Sequence, residues 1–167
     1  VPRVPQEARA VHDGAAQGVT VEELKKPLLV GEQNPYGGDP AFALYPAPDG
    51  CSGHRLCCLI LGMRRNAYLD AFERTNLCGA TWSLKEARTW VPKIQEVHNR
   101  IILLGAKVCT AFRVPFTPFE TFGSGRHLIL PHPSGLNRIW VQPDAFERAR
   151  EAVRALCPEL AHHIGVA

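Results

Sequence analysis

The stretch "PHPSGLNR" places an imidazole, a hydroxyl, a bare leucine and a guanidinium within eight residues. His132 can donate or accept a proton. Ser134 can bond an anion, and Gly135 admits a close backbone approach. Leu136 and Arg138 offer an apolar tip and a fixed positive charge, with Asn137 between them. A second polar segment, "GEQNPYGG", holds Gly31, Glu32, Gln33, Asn34 and Tyr36, and a third, "NLCG", begins with Asn76. Each has a plain structural alternative. Asn34-Pro35-Tyr36-Gly37 fits a turn built from turn-forming residues. His132 also fits a strand exit whose ring caps a backbone group, Asn76 a strand-end hydrogen bonder, and Leu136 a side chain packed back on the core.

The elements that must position these residues are legible. Pro27-Leu-Leu-Val30 is a short apolar run ended by Gly31, a buried-strand signal. A proline- and glycine-rich loop follows. "HRLCCLILGMRRNAYLDAFER" has apolar positions at helical spacing, with Gly62 its weak point, and predicts one helix. "TNLCG" predicts a second strand. Ser83 with Glu86 three residues on is a capping box for "LKEARTWVPKIQEVHN", in which Pro92 is a candidate kink. "RIILLG" predicts a third strand, "AKVCTAF" a short helix, "HLILP" a fourth strand, and "PDAFERAREAVRAL" a closing amphipathic helix with Asp144 near its N-terminus. Strands alternating with helices predict one α/β/α sandwich around a central, mostly parallel four-stranded sheet over residues 28–167. Residues 1–27 read as a polar surface arm with at most a short helix around "VEELKK". In such sheets ligands sit beyond the carboxyl ends of the strands, which gathers the three polar segments at one crevice.

Composition sets the outer bounds. The 167 residues are 46% hydrophobic and 21% charged, ordinary for a globular chain with a real core. A net charge of +3 permits a polyanionic partner without requiring one. No apolar run approaches the roughly 18 residues that span a bilayer, and the opening residues do not read as a signal segment, so no membrane partner and a cytoplasmic location are expected. The six cysteines include no CxxC pair and read as reduced thiols. Cys51, His54 and Cys57 have metal-like spacing without a matching second half, so no metal is expected. No GxGxxG or P-loop pattern occurs, so no nucleotide cofactor is expected either.

Taken together, "GEQNPY" and "HPSGLNR" resemble two motifs of the uracil-DNA glycosylase superfamily. The first is a glycine followed by Asp or Asn, then Pro and Tyr or Gly. The second is His or Asn, Pro-Ser and a leucine loop. The βα order covers about residues 27–156. The GLNR ending is closest to the mismatch-specific branch, while His132 and Tyr36 are closer to the classical enzymes. The resemblance implies a monomeric, cofactor-free glycosylase that extrudes uracil or a related modified pyrimidine from DNA and hydrolyses its bond to deoxyribose. It assigns Asn34 to positioning water and His132 to donating to a base carbonyl as negative charge develops. Asn76 would read the pyrimidine edge, Tyr36 would crowd C5, and Phe42 or Tyr45 would stack on the base. Gly31, Glu32 and Gln33 would line the base site. Ser134, Gly135, Asn137 and Arg138 would meet the DNA backbone or opposite strand, and Leu136 would wedge into the duplex.

Four departures stand out. One extra residue separates Gly31 from Asn34. Asn34 replaces the aspartate of the most active branch, which predicts slower turnover because asparagine is no general base. Gly37 stands where classical enzymes carry histidine, and the N-terminal cysteine pair of an iron–sulfur branch is missing. No lysine lies in the three polar segments, so no Schiff-base step is expected. Two alternatives remain: a DNA-binding relative that recognises a base without excising it, and an α/β hydrolase acting on a small molecule.

Overall fold

The computed structural model describes residues 25–34 and 38–167. The expected N-terminal arm, with its short helix, and the position of Tyr36 lie outside the described residues, apart from residues 25–27 of the arm. The strands are β1 (Leu28–Gln33), β2 (Glu73–Cys78), β3 (Ile101–Leu104), β4 (Thr121–Phe122) and β5 (His127–Leu130), in the order β2-β1-β3-β5-β4. All neighbours are parallel except β4 and β5. The α/β architecture expected from the alternating pattern is present, with five strands rather than four. β4 escaped the sequence because two residues at a sheet edge carry no periodicity.

Side-chain alternation divides the core in two. Leu29, Ile102, Leu104, Leu128 and Leu130 pack with Leu56, Ile60, Tyr68 and Val153 on one face. Leu28, Val30, Ile101, Leu103 and Ile129 pack with Ala87, Val91 and Val108 on the other. The first face is covered by Arg55–Ile60, the π-helical continuation of α1 (Ser52–His54), and by α2 (Arg65–Ala71) and α5 (Ala145–Leu156). The second is covered by α3 (Leu84–Val97) and α4 (Ala106–Ala111). Strands apolar on both faces are what a helix-covered parallel sheet requires.

Two boundaries differ from the pattern-based expectation. The single helix expected from His54 to Arg74 is broken. Gly62 takes φ +60°, and its carbonyl accepts from Val166 and Ala167 while that of Leu61 accepts from Gly165. Arg150 donates to the carbonyls of Ile60 and Leu59 at 2.8 and 3.0 Å. The C-terminal tail and α5 thus bond the carbonyls that a continuing helix would have used. At the far end, Glu73 and Arg74 leave the helix for β2, because pairing with Leu28 and Leu29 takes over their backbone. Elsewhere local signals held. Ser83 Oγ accepts from the Glu86 amide at 3.2 Å, and α3 runs through Pro92.

Candidate active site

β1 continues to Gln33, so Gly31, Glu32 and Gln33 lie on the strand itself and not in the loop beyond it. Gly31 pairs in register with Asn76 of β2. A Cβ built on Gly31 would lie 2.3 Å from Asn76 Oδ1. The Asn76 amide therefore lies directly over the bare Gly31 backbone, a placement any side chain at 31 would forbid. Beside them is a cavity of about 350 Å³. Its lining includes Glu32, Asn34, Phe42, Tyr45, Asn76 and His132. Residues from β1, β2 and the exit of β5, remote in sequence, meet at the carboxyl end of the sheet as the crevice rule requires.

The β5 exit is a tightly bonded loop. The His132 carbonyl accepts from Trp140 Nε1 at 2.8 Å and from Asn137 Nδ2 at 3.1 Å. Asn137 Oδ1 accepts from the Ile139 amide, capping the short 3-10 turn Arg138–Val141. Ser134 Oγ accepts from the Leu136 amide at 3.2 Å, and the Ser134 carbonyl from Asn137. The Pro133 carbonyl accepts from Arg55 Nε at 2.9 Å. Asn137 is thus engaged within the loop that it was expected to aim at DNA. At the tip of this stiff frame Leu136 is 93% exposed. The alternative in which Leu136 packs back on the core is excluded. Arg138 is exposed beside it.

His132 has a defined protonation pattern. Its Nδ1 accepts from the Ser134 amide at 3.1 Å. A nitrogen that accepts carries no proton, so the neutral ring carries its proton on Nε2 and is a donor there. Burial lowers the imidazole pKa, against an opposing effect of the Glu32 carboxylate, with the Lys107 charge lowering it further. The neutral Nε2–H donor is therefore the form favoured near neutrality. Among the described residues Glu32 is the one carboxylate lining this cavity.

The aromatic wall comes from the loop after β1. Phe42 and Tyr45 meet edge to face with centroids 5.3 Å apart. Arg74 Nη1 donates to the Ala43 carbonyl at 2.8 Å and its guanidinium lies over the Tyr45 ring. Tyr68 Oη donates to the Leu44 carbonyl at 3.0 Å. Phe42 is the more exposed ring and Tyr45 the more firmly held, and both border the cavity. Cys51 and His54 serve this loop: Cys51 Sγ accepts from the His54 amide, and His54 Nδ1 from Gly50.

Four residues of the site carry no signal in the sequence. Trp140 and Arg55 hold the histidine loop, and Ser52 and Gly53 line the cavity. Arg55 lies in "CSGHRLCC", a segment read for its thiols, and nothing local points from it to a proline 78 positions away. The whole arrangement can seat a small planar polar group between an amide edge, an aromatic wall and an imidazole donor, under an exposed apolar tip. No family model, curated protein or solved structure matches the chain.

Proposed function

We propose that the protein is a monofunctional DNA glycosylase of the uracil-DNA glycosylase type, which extrudes uracil or a related modified pyrimidine and hydrolyses its N-glycosidic bond. One observation carries the reading: Asn76, whose amide is seated on Gly31, and His132, whose Nδ1 accepts and so leaves the ring proton on Nε2, line the same cavity. A pyrimidine presents alternating acceptors and donors, which an asparagine amide matches with its paired oxygen and nitrogen. As the bond to C1′ lengthens, the departing base gains negative charge, and a neutral imidazole donor fixed beforehand stabilises it. The sugar gains positive charge, and Glu32 supplies a negative charge at the same cavity. Asn34, at the end of β1, orients the attacking water. Phe42 or Tyr45 stacks on the base. Leu136 fills the gap in the duplex, and Arg138 contacts the backbone or the opposite strand.

The test is direct. Labelled oligonucleotides with U:G, U:A, T:G, single-stranded U and a panel of modified pyrimidines are incubated with the protein, then treated with alkali to cut abasic sites. Strand cleavage at one of these bases is expected; salt-sensitive binding without cleavage at any of them would favour a recognition protein. Asn34, an amide where a carboxylate could have activated water, is the feature that favours that second reading.

A further inference from the structure

The Arg55 side chain makes a single hydrogen bond among the described residues, from Nε to the Pro133 carbonyl at 2.9 Å. No carboxylate among those residues forms an ion pair with it. Its guanidinium lies against Gly135, where an added Cβ would meet Cζ, Nε and Nη1, each at 3.5 Å. That is ordinary contact, and Gly135 does not have a positive φ. Neither backbone nor packing demands a glycine there. What the missing side chain does is leave the guanidinium of half-buried Arg55 beside bare backbone at position 135, between Ser134 and the exposed Leu136 in the chain.

We infer that Arg55 is a phosphodiester ligand, its guanidinium joining the backbone contact that the resemblance assigns to Ser134 and gripping the strand next to the extruded nucleotide. This inference rests on the DNA reading of the site. A guanidinium has five N–H donors in a planar fork that matches phosphate oxygens, and only Nε is committed. Ser134 Oγ accepts from Leu136, which leaves its hydroxyl proton to donate outward. The unneutralised charge offsets the repulsion between a polyanion and a cavity that holds Glu32. Because the same guanidinium fastens Pro133, the phosphate is held in register with the backbone that carries His132 and Leu136. Arg55 is thus both a DNA ligand and a positioning residue for the loop, and the two roles separate by experiment.

Binding to a labelled duplex carrying a tetrahydrofuran abasic analogue opposite guanine is measured over a range of salt concentrations. Each phosphate contact contributes roughly one unit to the slope of log affinity against log salt. Arg55→Gln is expected to lower that slope by about one, while Arg55→Lys, which keeps the charge but cannot reproduce the fork, retains it. Gly135→Val covers the guanidinium without altering charge or straining the backbone and is expected to lower the slope by about one as well, which covers the case in which Arg55→Gln fails to fold. An unchanged slope in Gly135→Val, or in a folded Arg55→Gln whose excision is slowed, overturns the subsite and leaves Arg55 as a loop anchor only. Wild-type protein that binds with normal salt sensitivity but releases no base would overturn the glycosylase reading and leave the subsite standing. Wild-type protein with no salt-sensitive binding would overturn both.

Discussion

At the scale of single residues, the proposed chemistry depends on where two side chains are held. His132 accepts at Nδ1 and donates at Nε2, so losing it removes one fixed donor to the departing base. His132→Ala is expected to slow single-turnover excision by about 10²–10³-fold while DNA affinity changes far less. A parallel fall in both would make it a binding or folding residue. Acid should also disable it. Protonation puts a proton on Nδ1, opposite the Ser134 N–H that it now accepts. Because burial lowers this pKa, the rate should hold at neutral pH and fall on an acid limb lying below the usual imidazole range. A limb at or above that range would contradict the buried, neutral ring. Gly31 is tested by adding one methyl. Gly31→Ala places a Cβ where Asn76 Oδ1 now lies, and a displacement of about 1 Å in a positioned group can cost about 10²-fold in rate. Excision should drop by that order; full activity in the alanine variant would remove Asn76 from base reading.

At the scale of elements, the decisive piece is the loop between β5 and the 3-10 turn. Four hydrogen bonds tie its backbone and side-chain groups together, and the one large apolar side chain is left outside. Leu136 has no group that can act on the glycosidic bond, and its proposed task is to hold open a stack that costs a few kcal/mol to break. Leu136→Ala should therefore impair excision from duplex DNA much more than from single-stranded DNA. Melting temperature should hardly move, because a 93% exposed side chain loses almost no burial. Equal losses on both substrates would leave the loop without a wedge. The helix before β2 illustrates a different point about elements. Periodicity ran unbroken through Gly62 and into Glu73, yet tail docking broke the helix at the first and strand pairing claimed the second.

At the scale of the whole molecule, three half-buried histidines link folding to pH. His98, His127 and His132 all have pKa values lowered chiefly by burial. A group with a native pKa below its unfolded value binds fewer protons when folded, so its contribution is fully present above the unfolded imidazole pKa. It is lost as pH falls through the depressed native values. Melting temperature should thus decline on acidification through and below the ordinary imidazole range, before most carboxylates titrate. A flat profile across that window would mean that the three rings are solvated. The lining of the cavity, drawn from all over the chain, contains no lysine, so borohydride should trap no covalent adduct with a cleaved substrate; a trapped adduct would require a Schiff-base mechanism.

The sequence by itself determined the chain order of the four longer strands and of α3, α4 and α5, the burial of β1, the Ser83 cap and the convergence of three polar segments at one end of a sheet. These are local or topological consequences of residue spacing: period two or 3.6, a capping serine, an apolar run ended by glycine. Chemistry-bearing residues such as Asn34 and His132 at strand exits, and Asn76 within β2, were visible because polar groups stand out beside apolar strand residues. Only the tertiary structure decided which atoms face which. That Gly31 makes room for Asn76 follows from the register of two strands some 45 positions apart. That Trp140 and Asn137 bond the His132 carbonyl, and that Arg55 reaches Pro133, follows from how the loop folds onto the π-helical segment. Spacing along a chain encodes which face of an element a residue occupies. It carries no record of the distant partner that will satisfy its hydrogen bonds, because that partner is chosen by packing.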